Sequence, residues 1–434
     1  MGRTQLTLFA TRRFLPLFVT QFLGALNDNL FRQALIMLIT FRLAAEVGMH
    51  PAILNNLAIG LFILPYFLFS AVAGQLADKF EKSRQIFWIK IWEVGLMLLG
   101  LVAFHTNSLP LLVAVLSGLG LQSTFFGPIK YGILPDLMKP DELLGANALV
   151  EAGTFIAILI GILIGGVVVL QGDSGGLMIS ALMILVAITG VLSGSMVPKT
   201  DPAAPDLKLD LNIFRATGHQ LRSAWQSPIA RPAIIGISWI WLYGSIYITQ
   251  IPDIVKNRLQ GDETVVTLII AGFSVGIGVG SLLCAKLLKG QVSAKLATPA
   301  LWALGGVSLA LCLLLPPAPE VDMSNTPLLP MAAFIASPVN ILIVVALIGV
   351  AITAGMVIVP LYAVLQAHTP RAERSRMIAA NNIVNSGFMA GGTIIAAGLI
   401  ALGLTTTGVL ILYAFANILI LPAAKRLRER LNAL

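Results

Sequence analysis

The stretch GQLADKFEKSR, Gly74 to Arg84, packs five charged side chains into eleven residues, with an apolar run on either side of it. The run before it covers about 53–77 and the run after it about 86–104. Each is long enough, at 18 or more mainly apolar residues, to cross a hydrocarbon core of roughly 30 Å. The chain therefore crosses a membrane, turns in water on a charged loop, and crosses back.

The same alternation continues outward from this loop in both directions. Of the 434 residues, 57% are hydrophobic and only 11% charged, whereas a soluble domain carries about a quarter charged residues. Spans are read near 14–41, 53–77, 86–104, 110–136, 142–170 and 176–197, and again near 233–252, 264–285, 296–315, 338–367, 377–402 and 405–424. The expectation is an all-α polytopic membrane protein with 12 transmembrane helices. The first apolar run is too long, and too charged within, to be a cleavable signal peptide. Cys284 and Cys312 both fall in apolar runs without metal-ligand spacing, so neither a disulfide framework nor a metal site is expected.

A net charge of +8 raises the question of nucleic acid, and the distribution of the charge answers it. With the N-terminus inside, the inside segments (Arg3 and the Lys90 region included) hold 23 of the 28 Lys and Arg residues. The outside segments hold three, Arg42, Lys256 and Arg258, and Arg32 and Lys130 fall within spans. That asymmetry predicts cytoplasmic termini. The positive charge serves orientation and anionic lipid head groups, and no nucleic-acid partner is implied.

The spans divide into two sets of six. ANALVEAGTF (146–155) and ANNIVNSGFM (380–389) share Ala-Asn, Val and Gly in step, each opening the fifth helix of its set. Each follows a helix with an internal proline, in FFGPIKYGIL and MVIVPLYAVL. Two six-helix halves in the same orientation are a parallel repeat, with substrate held between the halves near the midplane. The expected organisation is a bundle over 1–197, a cytoplasmic linker over 198–232 and a second bundle over 233–434. Within the linker, LKLDLNIFRATGHQLRSAW suits either a helix lying on the cytoplasmic surface or a plain solvated segment.

Inside the spans, polar residues single out candidate sites. In GALNDNLFRQAL, Gly24, Asp28 and Arg32 are spaced i, i+4, i+8 and share one face of the first helix. Asp28 and Arg32 are placed to form an ion pair, and Asn27 and Asn29 widen the polar face. A charge at this depth costs at least about 2.5 kcal/mol on insertion scales, so it faces a cavity or a partner. A structural clamp to neighbouring helices is the plainer reading; five polar side chains exceed what one clamp needs. GPIKYGILPDL places Lys130 and Tyr131 about 10 Å from the end at Leu137, at 1.5 Å per residue, within reach of the water edge or the cavity. Asn147 and Glu151 form a second i, i+4 pair, and Glu93 reads as a helix-interface partner for Lys90 or Trp92 neighbours. In the second half Tyr247, Gln250, Asn381 and Asn385 are the candidates, each equally readable as a helix-to-helix hydrogen bond. One side of the cavity is thus charged and the other mainly apolar, an arrangement that suits an amphiphile better than a sugar or an ion.

GQLADKFEKSR resembles the G-x-L-A-D-[RK] loop signature of the major facilitator superfamily, in which Gly74, Asp78, Lys79 and Arg84 would form the conformational loop motif, Asp78 capping a helix end and pairing with basic residues. The second half has only a worn copy, GSLLCAKLLKG (280–290), without an acid. ALNDNLFRQAL, GPIKYGILPDL, ANALVEAGTFIAILIG and GSLLCAKLLKGQVSAKL together resemble the bacterial lysophospholipid transporter family, over essentially the whole chain. The resemblance implies a flippase that moves lysophosphatidylethanolamine and lysophosphatidylglycerol from the outer to the inner leaflet of the bacterial inner membrane for re-acylation. It further implies substrate-binding roles for Asp28, Arg32 and Lys130, and an acyltransferase/acyl-carrier-protein synthetase as partner, to which some relatives are fused. This chain ends at LRERLNAL, as a standalone protein or one trimmed from such a fusion. The alternative within the superfamily is a proton-coupled exporter of drugs or small metabolites, using Asp28 or Glu151 as the protonation site. None of the four histidines begins an HxxxxD motif and there is no GK dipeptide, so no enzyme and no cofactor are expected.

Overall fold

The computed structural model describes residues 5–43, 48–317 and 327–433, so Arg3 lies outside the described residues. Six long helices come first: α1 Leu15–Leu38, α2 Pro51–Lys79, α3 Lys82–His105, α4 Leu109–Leu137, α5 Leu143–Val168 and α6 Gly175–Ser195. A 14-residue helix, α7 Ile213–Gln226, precedes the second set: α8 Ala230–Asn257, α9 Glu263–Leu287, α10 Ala297–Leu314, α11 Pro338–Ala367 and α12 Arg374–Ala401. The last crossing is broken into α13 Thr406–Ala416, a 3₁₀ turn Asn417–Leu419 and α14 Leu421–Asn432. Among the described residues eleven stretches are long and apolar enough to cross a membrane. The 24-residue α1 is a twelfth crossing by length, its polar cluster lowering its hydropathy. The chain is an all-helical, multi-pass membrane protein, as expected.

Helix starts follow local chemistry. Glu81 caps α3, accepting from the N–H groups of Ser83 (2.9 Å) and Arg84 (2.8 Å), and Asp262 caps α9 in the same way. Proline fills the first turn of α1, α4 and α11, where its missing N–H costs nothing. Burial alone would raise the Glu81 carboxyl. The N–H groups of Thr200, Ser83 and Arg84 outweigh it and hold the group below the usual carboxylate range.

Two expectations need correction. The last span is not one helix over 405–424. Asn417 turns its side chain inward to accept from Trp239 Nε1 (2.6 Å), and Pro422 opens a new helix behind it. Lys90, counted with the cytoplasmic cations, lies eight residues into α3 and is 1% exposed. Its partner Glu93 drew it inward, for Lys90 Nζ donates to Glu93 Oε2.

Contacts between the first six crossings and the last six are concentrated at the end that carries the 74–84 loop. Asp78 accepts from the N–H groups of Ser375 (2.9 Å) and Arg376 (3.1 Å), capping α12, and from Arg376 Nε (3.1 Å). Asp136 at the end of α4 meets Lys82 (3.5 Å), Arg371 (3.3 Å) and Arg374 (3.0 Å). Gly74 lets α2 and α12 approach this closely: a Cβ there would stand 2.6 Å from the Ala379 Cβ and 2.9 Å from the Arg376 Cα. Lys79 Nζ donates to the Leu207 carbonyl (2.7 Å), and Arg84 is held through its backbone by Glu81.

Candidate functional site: a charged cavity at mid-membrane

Behind this closed end a cavity of about 290 Å³ lies between the two sets of helices. Its charged wall comes from α1 and α4 through Asp28, Arg32 and Lys130, with Asn29, Ser123 and Tyr131 beside them. Apolar side chains of α2 and α5 (Ile59, Phe62, Ile63, Ile158) and Met389 of α12 complete it. Asp28 is 13 residues into the 24-residue α1, which sets the cavity near mid-membrane.

Asp28 and Arg32 share the cavity but do not close into an ion pair. Asp28 Oδ2 accepts from Ser123 Oγ (2.6 Å) on α4, and Arg32 Nη2 donates to Asn29 Oδ1 one turn back on its own helix. The hydroxyl of α4 and the amide of Asn29 outcompete the direct pair that the i, i+4 spacing allowed. Asp28 Oδ1 is left buried without a partner. Lys130 Nζ sits 4.7 Å from the centre of the Tyr131 ring, and among the described residues it makes neither an ion pair nor a hydrogen bond. Its position resolves the choice between water edge and cavity in favour of the cavity.

The floor of the cavity is a polar layer that joins the two sets. Tyr131 donates to Glu151 Oε1 and stacks on Tyr362 of α11, with ring centres 4.5 Å apart and planes 4° from parallel. Asn147 and Gln366 exchange two hydrogen bonds (2.7 and 2.9 Å). Asn381 reaches the Tyr362 hydroxyl at 3.4 Å, and Asn385 accepts from Ser238 Oγ (2.6 Å) while lining the cavity. Glu151 Oε2 is buried and unpartnered.

Asn27 turns from the cavity. It donates to Glu93 Oε1 (3.0 Å), and Gln122 donates to Glu93 Oε2 (3.1 Å), so Glu93 is the buried hub of a four-residue network with Lys90. The interface reading of Glu93 holds, although Lys90 also touches the cavity. Tyr247 and Gln250 do not join the cavity lining. Tyr247 stacks between Tyr243 and Phe273 inside the second bundle, because its position on α8 faces α9. Polar and aromatic lining residues that sequence reasoning passed over include Gln21, Tyr66, Gln122, Ser123, Thr154, Trp241, Tyr362 and Ser386. The polar pair Gln122-Ser123, two residues before Phe125 in an apolar run, was the one signal available for them.

Comparison with known proteins gives a consistent outcome. The family model of the Major Facilitator Superfamily matches residues 17–393. The chain is 30% identical over 275 residues to the lysophospholipid transporter LplT of Shigella boydii serotype 4 (strain Sb227) and to that of Escherichia coli O139:H28. Each match covers 62% of this chain and 65% of the relative's length. Among solved structures, the human organic anion transporter MFSD10 (TETRAN) superposes with a TM-score of 0.75 at 14% identity, covering 95% of this chain and 99% of its own. A bacterial homologue of the iron transporter ferroportin in its outward-facing state gives 0.65 at 15% identity, covering 95% and 99%. At those identities the structures speak for the fold alone.

Proposed function

The chain belongs to the Major Facilitator Superfamily, and we propose that it is a lysophospholipid flippase of the bacterial inner membrane. Membership of that superfamily makes it a transporter and not an enzyme. The observation that carries the substrate reading is the pair of cations, Arg32 and Lys130, that line one cavity, each partly exposed to it, without an acidic partner within 4 Å among the described residues. Two such cations lining one cavity are stabilised by an anion from outside the protein, and phosphate is an anion that a guanidinium and an ammonium both bind through charge-assisted bonds. The free Oδ1 of Asp28 is then placed for a cationic group on the same ligand. A zwitterionic phosphoethanolamine supplies both charges; lysophosphatidylglycerol supplies the phosphate alone.

The cavity volume of about 290 Å³ falls just short of the roughly 300–1,000 Å³ of small-molecule sites. It takes a head group and glycerol and leaves the single acyl chain along the apolar wall. The names of the relatives at 30% identity point to the same class of substrate. With the Asp78 end closed, the site faces the opposite side of the membrane. If the cation-rich ends are cytoplasmic, as the positive-inside pattern argues, that is the outer side, from which lysophospholipid would be taken for delivery to the inner leaflet and re-acylation there. The bundles 1–197 and 233–434 rock about the cavity, with 198–232 linking them and offering a surface to an acyltransferase/acyl-carrier-protein synthetase.

The test uses the purified protein in liposomes with labelled lysophosphatidylethanolamine in the outer leaflet, extracted with albumin at intervals. Protein-dependent loss of extractable label supports the reading. If all the label stays extractable with and without a pH gradient, lipid translocation is wrong. Export of a small solute that needs a pH gradient, with no lipid movement, would favour the proton-coupled exporter, for which the unpartnered Glu151 Oε2 is the supporting observation.

A further inference from the structure

The segment that links the two bundles neither hangs in water nor lies flat beneath the protein. Its partners climb α2 residue by residue. Thr200 N–H donates to Glu81 Oε1 (3.1 Å), and Ala204 N–H to the Asp78 carbonyl (2.8 Å). Lys79 Nζ reaches the Leu207 carbonyl (2.7 Å), and Gln75 exchanges two bonds with the backbone of Asp210 (3.1 and 2.8 Å). Gln220, on α7, then donates to the carbonyl of Ala71 (2.7 Å). Ala71 lies eight residues before Lys79, about 12 Å along the helix at 1.5 Å per residue.

The return limb is α7 itself. Ala216 and Leu221 pack with Ala71 and with Ile383, nine residues into α12. His219, Gln220 and Ser223 lie against Glu373, Arg376 and Met377 at the start of α12. The segment is therefore a hairpin that rises beside the seam of α2 and α12 and descends again. Its tip carries Leu211 and Phe214, which are 67% and 76% exposed. Two exposed large apolar side chains at a height where α2 is apolar and the polar side chains of α12 (Asn381, Asn382, Asn385 and Ser386) are buried inside the protein have a solvent at hand, and it is lipid.

The charges around the tip fit that solvent. Arg215 and Asp210 form a two-pronged pair (2.6 and 2.9 Å), so neither enters the apolar zone as a lone ion. Lower on the same exposed face come Arg222 and Trp225, the residue types that settle among head groups.

We propose that residues 211–225 form a lipid-seated wedge: Leu211 and Phe214 lie among the acyl chains of the leaflet on the Asp78 side, and Arg222 lies at its anionic head groups. The wedge covers the seam between α2 and α12 on that side, so a lateral path from the cavity to that leaflet has to displace it. The proposal is independent of the substrate reading and stands or falls separately.

Spin labels test it. Single cysteines at Leu211, Phe214 and Arg222, in the full chain with Cys284→Ala and Cys312→Ala, are labelled with a nitroxide. The protein is reconstituted in phosphatidylethanolamine/phosphatidylglycerol vesicles. Collisions with oxygen, which concentrates in lipid, are compared with collisions with a water-soluble nickel chelate. Oxygen should prevail at 211 and 214, and the chelate at 222. Chelate prevailing at 211 and 214 would make the segment a water-exposed strap and overturn the proposal. Low accessibility to both probes at those positions would overturn it as well, by placing the tip inside the protein. All three labelled sites are exposed, so the labels leave the packed core intact, and the unlabelled Cys284→Ala/Cys312→Ala protein is the control for the two buried substitutions.

Discussion

At the scale of single residues the account turns on charges that lack partners inside the protein. Arg32 has only the amide of Asn29, and Lys130 only the face of Tyr131. A hydrogen bond to a charged group contributes about 1.5–3 kcal/mol, and about 1.4 kcal/mol is tenfold in affinity. Arg32→Ala and Lys130→Ala should therefore each slow the uptake of lysophosphatidylethanolamine and of lysophosphatidylglycerol by about tenfold or more, read by albumin extraction. Unchanged rates in both variants would remove the phosphate from this site. These residues were legible in the sequence because charge in an apolar run is costly and conspicuous. Their partners were not. Spacing puts Asp28 and Arg32 on one face, but Ser123, which takes Asp28, arrives from 95 residues away on α4. Tyr247 shows the converse: a polar residue in a span whose helix face points into a bundle.

At the scale of elements, the loop motif is a pair of helix caps. Asp78 closes the N-terminus of α12 across the seam, where a carboxylate also meets the positive end of the helix dipole. Asp78→Asn keeps the shape and removes the charge. It should raise the reactivity of cysteines placed at the Asp78 end toward a water-soluble thiol reagent, as that end opens more often. Glu81 caps α3 and also holds Thr200 of the linker. Its carboxyl titrates below the usual range when folded, so its contribution is present above the unfolded pKa of about 4.3. It is lost as pH falls through the lower folded value. In detergent, Glu81→Gln should lower the melting temperature at pH 7, by an amount that fits about 0.5–2 kcal/mol for a lost cap. The difference from the parent protein should shrink toward pH 3. A constant difference across that range would deny the carboxylate this role. Sequence signs for caps and spans were strong here, since loop charges and prolines punctuate long apolar runs. The linker hairpin was legible only as an amphipathic stretch. Its climb along α2 depends on Gln75 and Gln220, ordinary-looking glutamines whose partners are backbone groups far away in sequence.

At the scale of the whole molecule, the structure is one state of a machine that is shut at the Asp78 end. Tyr131 on Tyr362, Asn147 with Gln366, and Gly74 under Ala379 form a continuous seal below the cavity. Gly74→Val would push α2 and α12 apart. Spin-label distances across that end should lengthen, and a value unchanged from the parent protein would show that the close approach is dispensable. The near-parallel Tyr131–Tyr362 stack comes from neighbouring, not identical, places in the two halves, Tyr131 three residues and Tyr362 two residues after the internal proline of its helix. The repeat could be read from the sequence, whereas the contact between its copies could not. What the seal encloses is the central claim: a site whose two cations hold a phosphate and whose one carboxylate receives an ammonium. Transport of lysophosphatidylethanolamine and of lysophosphatidylglycerol by Asp28→Asn, compared in the same liposomes, tests it most directly. The substitution keeps a hydrogen-bond acceptor for Ser123 and removes only the charge. The account predicts about a tenfold loss for the ethanolamine lipid, on the scale of one charge-assisted bond, with the glycerol lipid carried near the parent rate. Equal losses for the two lipids, or no loss for either, would contradict it.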